Sequence, residues 1–345
     1  MKKISALFLL VSFAIAAYAQ NNDQKPYSTQ SLSKESIKDV NVKTSGGSIT
    51  VNGVAAGEAR IEVYISPSNG SWNSLSNEEI KKRLDEDYNL TITTSNNKLT
   101  AIAETKNHFM NWKRGLSISF RIYVPQSVST DLNTSGGSIH LANLSGKQVF
   151  RTSGGSLHVD DVTGDINGRT SGGSIKVKNC GNNIDLNTSG GSIVAEDCKG
   201  TINLETSGGS LTLNNLQGNV KAHTSGGSVH GSNIQGELSA HTSGGSVQLN
   251  NLSGSLETST SGGSIAVELK ELGKYVTISN SGGNIDLTLP QNKGLDLKLY
   301  ANKIKTDGLK NFTGKADDDE ISGTVNGGGV PVTVKASSGH LNVRM

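Results

Sequence analysis

The sequence predicts an all-β chain wound as a single-chain parallel β-solenoid with 18-residue coils, and three observations predict it. The pentapeptide Thr-Ser-Gly-Gly-Ser occurs nine times, starting at Thr44, Thr134, Thr152, Thr170, Thr188, Thr206, Thr224, Thr242 and Thr260. From Thr134 to Thr260 its start advances by 18 residues each time, and a fixed period of this size marks a stacked repeat. Between the copies, aliphatic side chains alternate with period two, which is strand patterning and not helix patterning. Composition alone, with 33% hydrophobic and 4% aromatic residues, would also suit a Gly/Ser-rich linker. The fixed phase of the aliphatic residues excludes that reading.

Numbered from its Thr, each unit places an aliphatic residue at the sixth position (Ile139, Leu157, Ile175, Ile193, Leu211, Val229, Val247, Ile265). The eighth, fifteenth and seventeenth positions mostly repeat the choice, the exceptions being Gly231 at the eighth, Gln148 at the fifteenth, and Phe150, Gly168 and Thr258 at the seventeenth. Two short strands per unit follow, each turning these side chains inward. The same alternation turns the first-position Thr inward. The Gly-Gly pair is expected to make one corner by adopting positive φ, as glycine does without a Cβ clash. On that reading Gly190 tolerates no larger side chain. The other corner is expected at the tenth position, where Asn143, Asp161, Asn179, Asp197, Asn215, Asn233 and Asn251 recur. Asn and Asp accept left-handed φ in turns. No coil can bury its apolar face alone, so the coils should fold only as a stack.

The chain begins with a signal-peptide pattern over residues 1–19. Lys2 and Lys3 precede an apolar run from Ile4 to Ala17, and Ala17-Tyr18-Ala19 is an A-x-A cleavage site. The run is too short for a membrane span, and no span is expected once it is removed. Loss of two lysines leaves 30 basic against 30 acidic residues, a balance that argues against a nucleic-acid partner. Residues 20–35 read as a flexible lead and 36–345 as one solenoid domain. Within it, 36–130 is irregular, 131–279 holds the regular coils, and 280–345 holds C-terminal coils and a cap. Ser76-Asn77-Glu78-Glu79 is a capping box that starts a short helix over 77–87. The final strands, around Ser337-Ser338-Gly339, are expected to close the exposed end of the stack.

These features together resemble a known family. A strand region with an insertion leads to a long strand ending in Val124-Pro125. Thr-x-x-Gly-x-Ile coils follow, then a Gly-rich turn before a final Gly-x-Leu-x-Val strand. The pattern resembles the putative-adhesin family of bacterial β-strand-repeat domains over residues 36–345. The resemblance implies a right-handed β-helix, export, and a cell-surface or adhesive role. It supplies no catalytic residues.

Candidate sites outside the coil pattern are few. His108-Phe109-Met110-Asn111-Trp112-Lys113-Arg114 concentrates aromatics in a chain poor in them, and Phe109, Trp112 and Arg114 are the candidate ligand-binding residues. Cys180 and Cys198 share the eleventh position on adjacent coils. They read either as a disulfide or as two buried thiols. His140 with His158, and His223 with His241, should stack on outward positions, and Asp317 to Glu320 form an acidic loop. No catalytic cluster, cofactor site or metal site is expected. The leading functional expectation is an exported, non-catalytic structural or adhesive protein with a glycan or protein as its surface ligand. The alternative is a polysaccharide-binding or polysaccharide-active β-helix protein.

Overall fold

A computed structural model describes residues 25–68, 75–106, 114–307 and 309–345. The signal-peptide segment, Phe109 and Trp112 lie outside them. The regular coils stack in parallel in a constant 18-residue register as far as the strand Val247–Thr260, whose pairing with the next coil shifts after Leu249. One ladder pairs Ile139, Leu157, Ile175, Ile193, Leu211, Val229, Val247 and Ile265 in succession. A second ladder pairs Gln148, Ile166, Ile184, Ile202, Val220, Leu238 and Leu256. All of these side chains are buried and form one core with their neighbours. Each coil is two nine-residue halves that echo one another. The Gly-Gly pair and the tenth position make corners, the fourth and thirteenth are glycine except for Asn182 and Leu272, and the sixth and eighth answer the fifteenth and seventeenth.

The two corners are built differently. At the tenth position Asn143, Asp161, Asn179, Asp197, Asn215, Asn233 and Asn251 all have φ between 53° and 58°, the left-handed conformation expected of them. Their side chains also ladder: Asn215, Asn233 and Asn251 each donate 2.9 Å bonds to the residue one coil before. The Gly-Gly corner departs from expectation, because none of its glycines has positive φ. What the second glycine needs is space. A Cβ on Gly191 would lie 2.1 Å from the Gly173 carbonyl oxygen, and Gly209 repeats this against Gly191. A Cβ on Gly190 would meet nothing closer than 3.5 Å. The constraint therefore falls on Gly191 and not on Gly190.

The buried Thr column explains the rest of the pentapeptide. Thr206 Oγ1 donates to the Gly191 carbonyl of the preceding coil at 2.7 Å and accepts from the Gly209 N–H at 3.3 Å. The same pair of bonds recurs at every coil from Thr134 to Thr260. Asn280 takes over the task in the weaker copy, donating to the Gly263 carbonyl at 2.8 Å. Thr206→Val keeps the shape but strips a partner from two backbone groups. It should lower stability by about 1–3 kcal/mol. A urea midpoint unchanged from the parent would contradict that role.

Both ends of the stack use one device. The strand Asp39–Thr44 lies between Lys98–Thr105 and Ser129–Thr134, and Ile49–Val54 lies between Leu116–Pro125 and Ile139–Thr152. Thr44 thus pairs directly with Thr134, 90 residues away. The intervening chain folds back beneath the first coil. Its antiparallel strands Arg60–Pro67 and Tyr88–Ser95 form the outer layer, and the helix Asn77–Asp87 buries Ile80 and Leu84 there. Ser76 caps the helix by accepting from Glu79 N, whereas the Glu79 carboxylate pairs with Arg83.

Two expectations are corrected at these ends. Residues 28–31, read as part of a flexible lead, form a strand antiparallel to Arg60–Pro67, and Leu32 is fully buried behind it. The final strands do not close the stack. Val330–Ala336 inserts between the strand ending at Asn280 and Leu295–Tyr300. His340–Arg344 inserts between Ile285–Thr288 and Lys303–Asp307. The antiparallel strands Glu320–Val325 and Phe312–Ala316 cover that end instead. Antiparallel layers finish a parallel stack with short strands at its edge.

Candidate functional site

The fourteenth, sixteenth and eighteenth positions of each coil face outward on the sheet of second strands. In the first coils they line a depression of about 580 Å³. Lys147, Val149 and Arg151 form its first row; Asp165, Asn167 and Arg169 the second; Asn183 and Asp185 the third; Thr201 and Asn203 the fourth. A second depression of about 350 Å³ shares Lys147 and Val149 and runs on past Ser129, Asp131, Asp39 and Asn41 to Lys98. Together they make one trough crossing seven strands, about 29 Å long at about 4.8 Å per strand.

The charges of the trough are unevenly matched. Asp185 accepts from the amides of Asn167 and Asn203, each at 2.9 Å. Asp165 accepts from Asn183 at 2.8 Å. Amides therefore occupy these two carboxylates. Among the described residues, the ion pairs include none of Lys147, Arg151 and Arg169. Arg151 and Arg169 are direct register partners, so two exposed guanidinium groups rise from adjacent strands.

The sites marked in the sequence are scattered over other parts of the molecule. Arg114 is bound to the helix, 2.5 Å from Glu86 and 3.4 Å from Asp87, and these contacts hold its pKa above the usual value, the Glu86 bond contributing most. Cys180 and Cys198 are free, buried thiols. Their Sγ atoms donate to the carbonyls of Lys178 and Glu196, both at 3.1 Å. The hydrogen bond to Cys198, together with burial, pushes the Cys180 thiol well up. His140 and His158 stack with centroids 6.0 Å apart. Burial holds His140 below the usual histidine value, against the pull of Asp160. His241 is bracketed by the hydroxyls of Ser239 and Ser259 at 2.9 and 2.8 Å, and burial lowers it likewise. The acidic loop is the turn of an antiparallel hairpin, with Lys315 held by Glu320 and Asp317 at 2.6 and 2.9 Å.

The trough leaves little trace in the sequence. Its one linear signal is the clustering of Lys147, Arg151 and Arg169 in the first two regular coils, where later coils carry Asn187, Glu205 and His223 in the same column. Among the described residues, no helix is long and apolar enough to cross a membrane.

A comparison with curated proteins finds no match. Two solved structures are similar over nearly their whole length. One is described as a putative cell adhesion protein from Clostridium sporogenes; it is 10% identical, covers 93% of this chain and 99% of its own, and has a TM-score of 0.19. The other is described as a putative adhesin from Bacteroides fragilis; it is 11% identical, covers 92% of this chain and 96% of its own, and has a TM-score of 0.31. The Toastrack DUF4097 family model matches residues 61–344, from the antiparallel layer at the start of the stack to its final strand, and the chain belongs to that family.

Proposed function

We propose that the protein is exported, is not an enzyme, and adheres to a surface ligand through the polar trough. The carrying observation is the trough itself: a long, open, regular array of amides, carboxylates, hydroxyls and unpaired cations on a rigid stack. A ligand with a repeating structure meets a polar contact in row after row, so weak contacts add. Asp165 and Asp185 are tied to amides and not aimed at a common point, which favours recognition over acid–base chemistry. The 108–114 loop, with Phe109 and Trp112, is the competing binding element.

The test uses the chain from Gln20 on an array of glycans and matrix proteins. Binding should survive Phe109→Ala with Trp112→Ala, and should survive deletion of 206–223, which removes a coil outside the trough. It should fall when trough residues are replaced. Loss of binding with the loop change alone would move the site to the loop. For export, N-terminal sequencing of the protein recovered outside the cytoplasm should begin near Gln20; a chain still starting at Met1 would contradict it.

A further inference from the structure

We propose that Lys147, Arg151 and Arg169 form a carboxylate-binding subsite for a polyuronate, an acidic polysaccharide lying along the trough. This rests on the reading of the trough as the adhesive surface, and it assigns the ligand class.

Three observations support it. First, Arg151 and Arg169 stand in direct register on adjacent parallel strands, about 4.8 Å apart at the backbone. Like charges in directly opposed positions repel, and an anion between the two guanidinium groups would turn that repulsion into attraction. Secondly, among the described residues no acid ion-pairs with either arginine. Asp165 and Asp185 accept amide N–H groups from Asn183, Asn167 and Asn203, and Asp131, opposite Val149 and beside Arg151, forms no ion pair with it. Thirdly, the trough runs across many strands and is open, which fits a polymer better than a single small anion.

The chemistry selects among polymers. A guanidinium offers a planar fork that matches a carboxylate with two parallel hydrogen bonds. Lys147 lies four residues from Arg151 on the same strand, about 13 Å away across the trough, so it meets a carboxylate where the polymer crosses the trough obliquely. Val149 lies half-exposed between them, a small apolar floor for the C–H face of a sugar ring. Asn167, Asn183 and Asn203 each use an N–H on an aspartate, which leaves their carbonyl oxygens to accept from sugar hydroxyls. The trough lining has no aromatic ring of the kind on which nucleic-acid bases stack.

The experiment measures binding of the chain from Gln20 to polygalacturonate, dextran sulfate and neutral dextran, with circular dichroism confirming that each variant is folded. Polygalacturonate should bind best, and molar salt should weaken it. Arg151→Ala and Arg169→Ala should each weaken it about tenfold, the loss of one charge-assisted contact. Arg151→Lys with Arg169→Lys should recover part of the loss, because charge returns without the fork. Lys176→Ala, on the other sheet, should change nothing. Polygalacturonate binding that ignores both arginines, or dextran binding equally well, would overturn the subsite. So would tighter binding of dextran sulfate, which would mean charge density and not carboxylate geometry is recognised. If trough variants abolish binding to some other surface while polygalacturonate never binds, the adhesive reading stands and the polyuronate assignment alone falls.

Discussion

Gly191→Ala is expected to destabilise the protein by about 3 kcal/mol or more, while Gly190→Ala beside it is expected to stay within about 1 kcal/mol of the parent. The difference lies in the coil below and not in the corner's own conformation. An added Cβ at Gly191 would be 2.1 Å from the Gly173 oxygen, 2.4 Å from its carbon and 2.6 Å from Ser174 N. All three are backbone atoms, so no side chain can swing aside. The coil must separate from its neighbour, and separation pulls at the 2.8 Å bond from Thr188 to the Gly173 carbonyl. At Gly190 the added methyl group is exposed and meets Ser171 O at 3.5 Å, an ordinary contact. Its backbone lies outside the positive-φ region, so alanine mainly restricts the unfolded chain. Equal urea midpoints for the two variants would show that coil-to-coil contact does not set the glycine requirement.

Deleting 206–223, a whole unit, is expected to cost less than deleting Leu204 alone. The 18-residue deletion joins Glu205 to Thr224. Thr224 then takes the place of Thr206, with its hydroxyl against the Gly191 carbonyl, while Ile202 faces Leu238 and Leu204 faces Ala240. Every buried ladder stays in phase, and the stack loses one nearest-neighbour interface. Deleting Leu204 removes a fully buried side chain from the strand Lys199–Thr206 and shifts the residues after it by one. A shift of one turns Glu205 inward and Thr206 outward. The lost leucine alone costs about 2–5 kcal/mol, before the charge of Glu205 is buried. Thermal unfolding should therefore be cooperative for the shorter protein and broad or absent for the one-residue deletion.

What could be read from the sequence depended on whether the determinant was local in the repeat. The inward ladders, the inward Thr and the left-handed Asn corner follow from period and alternation, and Ser76 announces the helix. The glycine requirement at Gly191 is not local: it is set by the carbonyl of the coil beneath, and a single unit gives no hint of that distance. The tucked ends are less local still. Thr44 and Thr134 are five periods apart, but the residues between them lack the pattern, so their pairing had no visible support. Ser28–Ser31 is four exposed polar residues, with no apolar alternation to mark a strand. The trough is not legible in the sequence because it depends on which acids are taken by amides. Asp165 and Asp185 look like ready partners for Arg151 and Arg169 in the sequence, and only side-chain geometry shows them engaged elsewhere.

The central claim is that residues 18 apart stack on successive coils, and a spin-label distance tests it directly. With Cys180 and Cys198 replaced by alanine, labels would be placed at His158 and Gln248. These are outward positions linked through Lys176, Val194, Thr212 and His230 by five register steps. The backbone separation should be about 24 Å in the full chain and about 19 Å after deletion of 206–223, one step of about 4.8 Å less. A single narrow distribution that shortens by that step is the predicted result. A distance that is broad in both proteins, or unchanged by the deletion, would contradict the solenoid.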